Sequence, residues 1–255
     1  MLAAAQTVPV AGDVPANIDQ HVVLAQQAAD QGAALVLFPE LSLTGYELER
    51  AAELAFTLDD ARLDPLRELA RDRAVQLVVG APLRLDGRLH IAALVVGPDG
   101  VQAYTKRHLG AFPADLALRV PPPEPSVFVP GDLDPRILVG PHAAAVAICA
   151  DVNRPAHAER AADAQIYLAS MFVVPQDVRG DHATLQQRAR THAMTVVQAN
   201  FGGPTGGLPA GGCSAAWGSD GRLLGQLPAV GAGVLLVSAG GHNERLHGVQ
   251  PGQQI

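Results

Sequence analysis

Three side chains of unlike chemistry each stand at the end of an apolar run. Ala34 to Phe38 leads through Pro39 to Glu40, Val101 to Thr105 leads to Lys106, and Ala143 to Ile148 leads to Cys149. Buried strands of α/β proteins gather ligands at their carboxyl ends, so an acid, an amine and a thiol in these places form a candidate hydrolytic set. The thiol would attack a carbonyl carbon. A glutamate desolvated by Leu35, Val36, Leu37, Phe38, Leu41 and Leu43 would carry a raised pKa and move the proton. The ammonium of Lys106, with the backbone N–H of Ala150, would stabilise the oxyanion of a tetrahedral intermediate.

Each residue also has a plainer reading. A lone cysteine in a core strand is usually a small buried hydrophobe, a Pro-Glu pair can open a solvated loop, and Thr105-Lys106-Arg107-His108 can be a basic strand end. Carboxylates are almost never fully buried without a partner, so Glu40 in its apolar surroundings implies one. Downstream of Cys149, Asn153 as an N-cap and Pro155 in a first helical turn would put the thiol near a helix N-terminus, which favours the thiolate.

The elements that must position these residues follow from periodicity. Buried strands are expected at Leu2 to Ala5, Ala34 to Phe38, Gln76 to Ala81, His90 to Val96, Ile137 to Val139, Ala143 to Ile148, Gln165 to Ala169, Thr195 to Ala199 and Gly233 to Val237. Helices are expected at Pro15 to Gln31, Asp64 to Arg73, Pro155 to Asp163 and Asp181 to Met194. Three Asp-Gly pairs, Asp86-Gly87, Asp99-Gly100 and Asp220-Gly221, are hairpin turns, so the sheets of this α/β fold are mixed. The long irregular stretches, Ala111 to Asp134 and Gly202 to Gly212, are suited to lining a site. No internal repeat and no linker is visible. A single domain over residues 1–255 is expected, with a Gly/His/Gln-rich tail from 240 to 255 that is loose or at a dimer interface.

Composition narrows the partners. The 255 residues are 48% hydrophobic and 17% charged with a net charge of −7, and the basic residues do not cluster, so nucleic acid is not expected to bind. No apolar run approaches the roughly 20 residues that span a bilayer, and the start lacks a basic leader region, so we expect a cytoplasmic protein with no membrane partner. Two cysteines make no disulfide framework, and Cys213, before Ser214 in an apolar strand, reads as structural. Nine histidines include no H-E-x-x-H pair, and the glycine loop from Gly202 to Gly207 lacks a P-loop ending. No metal and no cofactor is expected.

Phe38-Pro39-Glu40-Leu41-Ser42-Leu43-Thr44-Gly45-Tyr46, then Tyr104-Thr105-Lys106-Arg107-His108-Leu109, then Ala147-Ile148-Cys149-Ala150-Asp151 resemble the motifs of the nitrilase (carbon-nitrogen hydrolase) superfamily. Lys106 follows Glu40 by 66 positions and Cys149 follows Lys106 by 43, in the order of that family's Glu-Lys-Cys triad. The resemblance implies an amidase-type hydrolase of small amides, ω-amides or N-carbamoyl compounds acting through a cysteine thioester. It also implies a four-layer αββα sandwich of two mixed sheets and a homodimer. Glu124, in Pro123-Glu124-Pro125, resembles the second acid that the family often places between lysine and cysteine.

The segment after the nucleophile, Ala150-Asp151-Val152-Asn153-Arg154-Pro155-Ala156-His157, departs from the family's aromatic and acidic pattern, which leaves the substrate pocket open. Substrate-facing candidates are Tyr46, Phe112, Ala150, Asn153, Arg154, Ser170, Met171 and Phe172, with Arg154 able to hold a carboxylate. Three other readings compete. An isochorismatase-like cysteine hydrolase expects an aspartate where the first strand here ends in Ala5-Gln6. A Cys149–His157 dyad is another, and a non-catalytic binding protein on the same scaffold is the third.

Overall fold

Each apolar run read as a strand is a strand in the computed structural model of the chain, which describes residues 1–116 and 120–238. In chain order the strands are β1 (Leu2–Gln6), β2 (Leu35–Leu37), β3 (Gln76–Leu85), β4 (Arg88–Gly97), β5 (Gly100–Thr105), β6 (Ile137–Val139), β7 (His142–Ile148), β8 (Ile166–Ser170), β9 (Thr195–Ala199), β10 (Ala215–Trp217), β11 (Leu223–Gln226) and β12 (Gly233–Val237). The helices are α1 (Val14–Asp30), α2 (Ala51–Leu54), α3 (Asp64–Arg73), α4 (Pro155–Arg160) and α5 (Val178–His192). The tail from 240 to 255, where dimer contacts were expected, lies outside the described residues.

The strands form two mixed six-stranded sheets, ordered β12-β1-β2-β3-β4-β5 and β11-β10-β9-β8-β7-β6. Alternate residues of each strand face opposite ways, and this sorts the core into three layers. Leu2, Ala4, Leu35, Leu37, Val78, Ile91 and Tyr104 of the first sheet meet Val146, Ile148, Leu168, Val197 and Ala216 of the second. Their neighbours Ala3, Ala5, Val36, Leu77 and Val79 turn outward onto Ile18, Leu24 and Ala25 of α1 and Leu66 and Leu69 of α3. On the far side Ala147, Tyr167, Ala169 and Val196 pack on Ala158 of α4 and Leu185 and Ala189 of α5. The result is the αββα sandwich, and each fully buried Leu or Val contributes about 1.5–3 kcal/mol to it.

All three Asp-Gly pairs turn hairpins: β3 to β4, β4 to β5 and β10 to β11 are antiparallel neighbours. At the first of them Asp86 and Gly87 both have positive φ, 49° and 75°, as a type I′ turn requires. Asp13 caps α1 by accepting from the Ala16 N–H at 3.1 Å, with Pro15 in the first turn.

Some boundaries differ from those expected. Helix α4 ends at Arg160, before Asp163, and α5 starts at Val178 and stops where Ala193 turns left-handed at φ 51°. The N-cap of α4 is Arg154, without a side-chain bond, and Asn153 is an exposed residue before it. Cys213 lies outside the strand, at φ 56° in the turn leading to β10.

Candidate active site

Glu40 sits in the turn that follows β2. The chain reverses there through Leu41 at φ 53°, and Ser42, Leu43 and Thr44 fold back onto β3. A Cβ on Gly80 of β3 would fall 2.2 Å from the Leu41 nitrogen and 2.4 Å from the Pro39 oxygen, so only glycine lets this turn lie against the strand. Ser42 Oγ accepts from the Gly80 N–H at 3.0 Å and meets His21 Nε2 at 2.8 Å, while His21 Nδ1 lies 2.6 Å from the Asn17 carbonyl. Lys106 follows β5 directly, its N–H donating to the Ile91 carbonyl at 2.8 Å. Cys149 opens a single 3₁₀ turn, Cys149–Asp151, and adopts φ 43°, a conformation that costs a non-glycine residue strain.

The packing of the two sheets brings these side chains together. Lys106 Nζ donates to Glu40 Oε1 at 2.6 Å and to Glu124 Oε1 at 2.7 Å, with all three side chains buried. Glu124 also accepts from Tyr46 Oη at 2.6 Å and, through Oε2, from the Gly110 N–H at 2.6 Å. The thiol of Cys149 donates towards the Phe172 carbonyl, Sγ to O 3.7 Å, and the Glu40 N–H donates to the neighbouring Met171 carbonyl at 3.3 Å. The second oxygen of Glu40, Oε2, is buried and makes no hydrogen bond of ordinary geometry, while the Cys149 thiol lies near enough to act on the Glu40 carboxyl as a hydrogen-bond donor.

Electrostatics follow from burial. Desolvation pushes the Glu40 carboxyl up to about 7, with Lys106 pulling down and Glu124 pushing up. Burial also drives the Cys149 thiol well above its ordinary value, and Glu40 and Glu124 add to this against the pull of Lys106. Whatever the start of α4 contributes towards the thiolate is opposed by this burial and by the two carboxyls. Desolvation by itself would lower Lys106, but Glu40, Cys149 and Glu124 more than reverse this, so the ammonium keeps its charge. Tyr46 is raised by burial and by the Glu40 and Glu124 carboxyls, so its phenol stays a donor to Glu124.

Of the substrate-facing candidates, three aromatics converge. Tyr46 lies 5.7 Å from Phe112 and 5.0 Å from Phe172 between ring centroids, and Phe112 and Phe172 are 5.2 Å apart. Phe201 backs Phe172 at 5.7 Å. Phe112 and Ala150 are half-buried, and Met171 is fully covered. Ser170 is taken up by structure, its Oγ donating to the Phe38 carbonyl at 2.9 Å. Asn153 and Arg154 are exposed at the start of α4. A cleft of 220 Å³ bordered by Tyr46, Glu47, Glu49, Arg50, Pro121 and Gly206 reaches one of these aromatics, Tyr46.

The model of the family described as carbon-nitrogen hydrolase matches residues 1–239. The chain belongs to the carbon-nitrogen hydrolase family. Its fold is similar to that of an amidase from Nesterenkonia sp. AN1, whose glutamate-to-glutamine variant is seen with the acetamide moiety of fluoroacetamide added to the active-site cysteine. That likeness has a TM-score of 0.79 at 29% identity and covers 91% of this chain and 87% of the amidase. A cysteine-to-alanine variant of the same amidase, in complex with butyramide, matches with a TM-score of 0.78 at 29% identity over 91% of this chain and 88% of that one. An 88-residue segment is 42% identical to glutamine-dependent NAD(+) synthetase from Mycobacterium tuberculosis, covering 33% of this chain and 13% of the synthetase. Aliphatic nitrilase from Rhodococcus rhodochrous is 31% identical over 123 residues, 42% of this chain and 34% of the nitrilase. The matched part is thus well under half the length of these two relatives.

His157 belongs elsewhere than at the thiol. Its Nε2 lies 2.8 Å from Tyr104 Oη and its Nδ1 2.9 Å from Tyr167 Oη, so both ring nitrogens are engaged and a Cys149–His157 dyad is not formed. The single sheet of an isochorismatase-like fold is likewise replaced by two. Sequence reasoning passed over Gly80, His21, Ser42 and Asp151. Only Asp151 carried a signal, as an acid two residues after the cysteine.

Proposed function

We propose that the protein is an amidase that hydrolyses small uncharged amides through a Cys149 thioester. The observation that carries this reading is the buried cluster in which Lys106 bridges Glu40 and Glu124 at 2.6 and 2.7 Å, next to a thiol held in its neutral form. A neutral thiol needs a base at the moment of attack, and a carboxyl near 7 is matched to that task at neutral pH. Glu40 takes the Cys149 proton as the C–S bond forms. Lys106 and the Ala150 N–H stabilise the oxyanion, and Glu40 returns the proton to the departing ammonia. Glu40 then deprotonates the water that cleaves the thioester, and the thiol regains its proton. Glu124 holds Lys106 through a second hydrogen bond.

The three aromatic rings near the cluster favour small apolar acyl groups. The aromatic wall of Tyr46, Phe112 and Phe172 offers apolar contact, and the cations nearest in sequence are engaged or exposed. Arg107 pairs with Asp134 at 3.0 Å, and Arg154 is exposed on the α4 N-cap. The butyramide complex of the Nesterenkonia amidase, and the acetamide moiety of fluoroacetamide added to its active-site cysteine, support the same class. Cytoplasmic location and a homodimer belong to the same reading. Among the described residues no helix is long and apolar enough to cross a membrane.

The test is ammonia release from a panel of aliphatic amides, ω-amides bearing a carboxylate, N-carbamoyl amino acids and nitriles, with Cys149→Ala beside the wild type. Release from acetamide to butyramide that vanishes in the variant is the expected result. Preference for carboxylate-bearing substrates would overturn the assignment of class, and thiol-independent release would overturn the mechanism.

A further inference from the structure

Asp151 is fully buried beside the proposed nucleophile, and nothing in the reaction described above uses it. Its carboxylate accepts four hydrogen bonds. Oδ1 takes the His108 N–H at 2.9 Å and lies 2.8 Å from His108 Nδ1, and Oδ2 takes the Ile148 N–H at 3.1 Å and Tyr104 Oη at 2.8 Å. Tyr104 and His108 stand two residues before and two after Lys106. Ile148 precedes Cys149, and Asp151 itself ends the 3₁₀ turn that Cys149 begins. One carboxylate therefore ties the chain on both sides of the lysine, which comes from the first sheet, to the chain on both sides of the cysteine, which comes from the second.

The donors behind it are ordered in one direction. The Tyr104 hydroxyl proton goes to Asp151, so Tyr104 Oη can only accept from His157 Nε2–H, and His157 Nδ1 then accepts from Tyr167 Oη. Burial lowers His157 and favours this neutral form. Four donors converge on two oxygens, which suits a carboxylate. An amide in its place offers one oxygen and turns an NH₂ group towards two donors.

We propose that Asp151, backed by Tyr104 and His157, is a positioning residue that sets the distance between Lys106 and the strained Cys149 turn. The proposal rests on the reading of Cys149 and Lys106 as reaction partners. Misplacement of reacting groups by about 1 Å costs up to about 100-fold in rate, so the clamp acts on turnover more than on binding.

The experiment uses the full chain with Asp151→Asn and, should that variant fail to fold, Tyr104→Phe, which removes one of the four bonds. Turnover of butyramide is normalised to the amount of Cys149 that iodoacetamide can alkylate, read by peptide mass with Cys213 as internal reference. For Asp151→Asn we expect kcat per reactive thiol to fall about 10-fold or more with KM within about threefold, and Cys149 alkylation to change about threefold or more. Tyr104→Phe should give the same pattern at about two- to fivefold. A purely structural role would lower the melting temperature and leave kcat per thiol within twofold of wild type, and that result overturns the proposal. If the wild type hydrolyses none of the amides, the amidase reading fails while the alkylation rates still decide this one. An altered Cys149 rate at unchanged Cys213 rate supports the clamp, and equal rates overturn it.

Discussion

The two sheets share one plan. Read from β12, the first pairs antiparallel, parallel, parallel, antiparallel, antiparallel; read from β6, the second does the same. Matching hydrogen bonds set the correspondence. Phe38 donates to the Val78 carbonyl as Met171 does to Ala199, and Lys106 donates to Ile91 as Leu227 does to Ser214. On this register Glu40 stands where the second sheet has Val173, and Lys106 where it has Leu227. Cys149 falls where the first sheet has Ala5, since Ala4 and Ile148 close equivalent parallel ladders. Val173, Leu227 and Ala5 are all buried. The scaffold occurs twice and the chemistry once, because a strand needs only apolar residues of about the right size whereas a site needs particular atoms. Two of its groups come from one sheet and the third from the other, so the set exists only when the sheets face each other.

This asymmetry is open to attack residue by residue. Cys149→Ala makes the second sheet's position like its alanine counterpart in the first. It should reduce ammonia release by about 10⁴-fold or more, measured as kcat/KM. Glu40→Gln keeps the shape of the first sheet's contribution and removes the proposed base, with an expected loss of about 10³-fold. In the wild type, activity should rise with pH through about 7 as Glu40 gives up its proton, and a profile flat from 5.5 to 8.5 would remove Glu40 from the role of base.

Stability depends on the same asymmetry. Burial lowers His21 to about 4 from about 6.5, so the folded protein prefers the neutral ring. Between those values the unfolded chain binds the extra proton, so this part of the stability is complete above about 6.5 and is lost as pH falls towards 4. It amounts to about 3 kcal/mol. Urea unfolding of wild type and His21→Gln at pH 7.5 and 4.5 isolates the contribution, since Glu40 titrates in both. Gly80→Ala should cost about 1–3 kcal/mol and reduce activity, because its Cβ meets the Glu40 turn at 2.2 Å. The residue at the equivalent register of the second sheet is the buried Phe201, so glycine is required only where the acid must lie close. Arg154→Ala, at an exposed position, should leave KM for butyramide within about twofold and stability within about 0.5 kcal/mol.

Much of the fold was readable because strands such as Ala143 to Ile148 and Thr195 to Ala199 are buried on both faces and appear as unbroken apolar runs. Strand β11 escaped notice because Leu223–Gln226 is an outer strand, exposed or half-exposed throughout, with Gly225 and Gln226 interrupting its pattern. Helix α2 is a single turn of Ala-Ala-Glu-Leu, too short for periodicity to register. The repeat of the sheets was invisible because it is carried by hydrogen-bond register and leaves no matching side chains at Glu40, Lys106 or Cys149.

Neighbours close along the chain set the strand ends that carry an acid, an amine and a thiol, the hairpin turns between strands, and the family motifs around them, and these were legible in the sequence. Tertiary structure decided the rest. Pairing between Lys106 and two glutamates, a thiol kept neutral by burial, a buried Glu40 Oε2 and three of the four bonds of Asp151 join residues 18 to 66 positions apart or depend on what covers them. The same packing left Arg154 and Asn153 exposed. A pKa or a contact is set by the whole surroundings of a group, and those surroundings are assembled only when the two sheets close on each other.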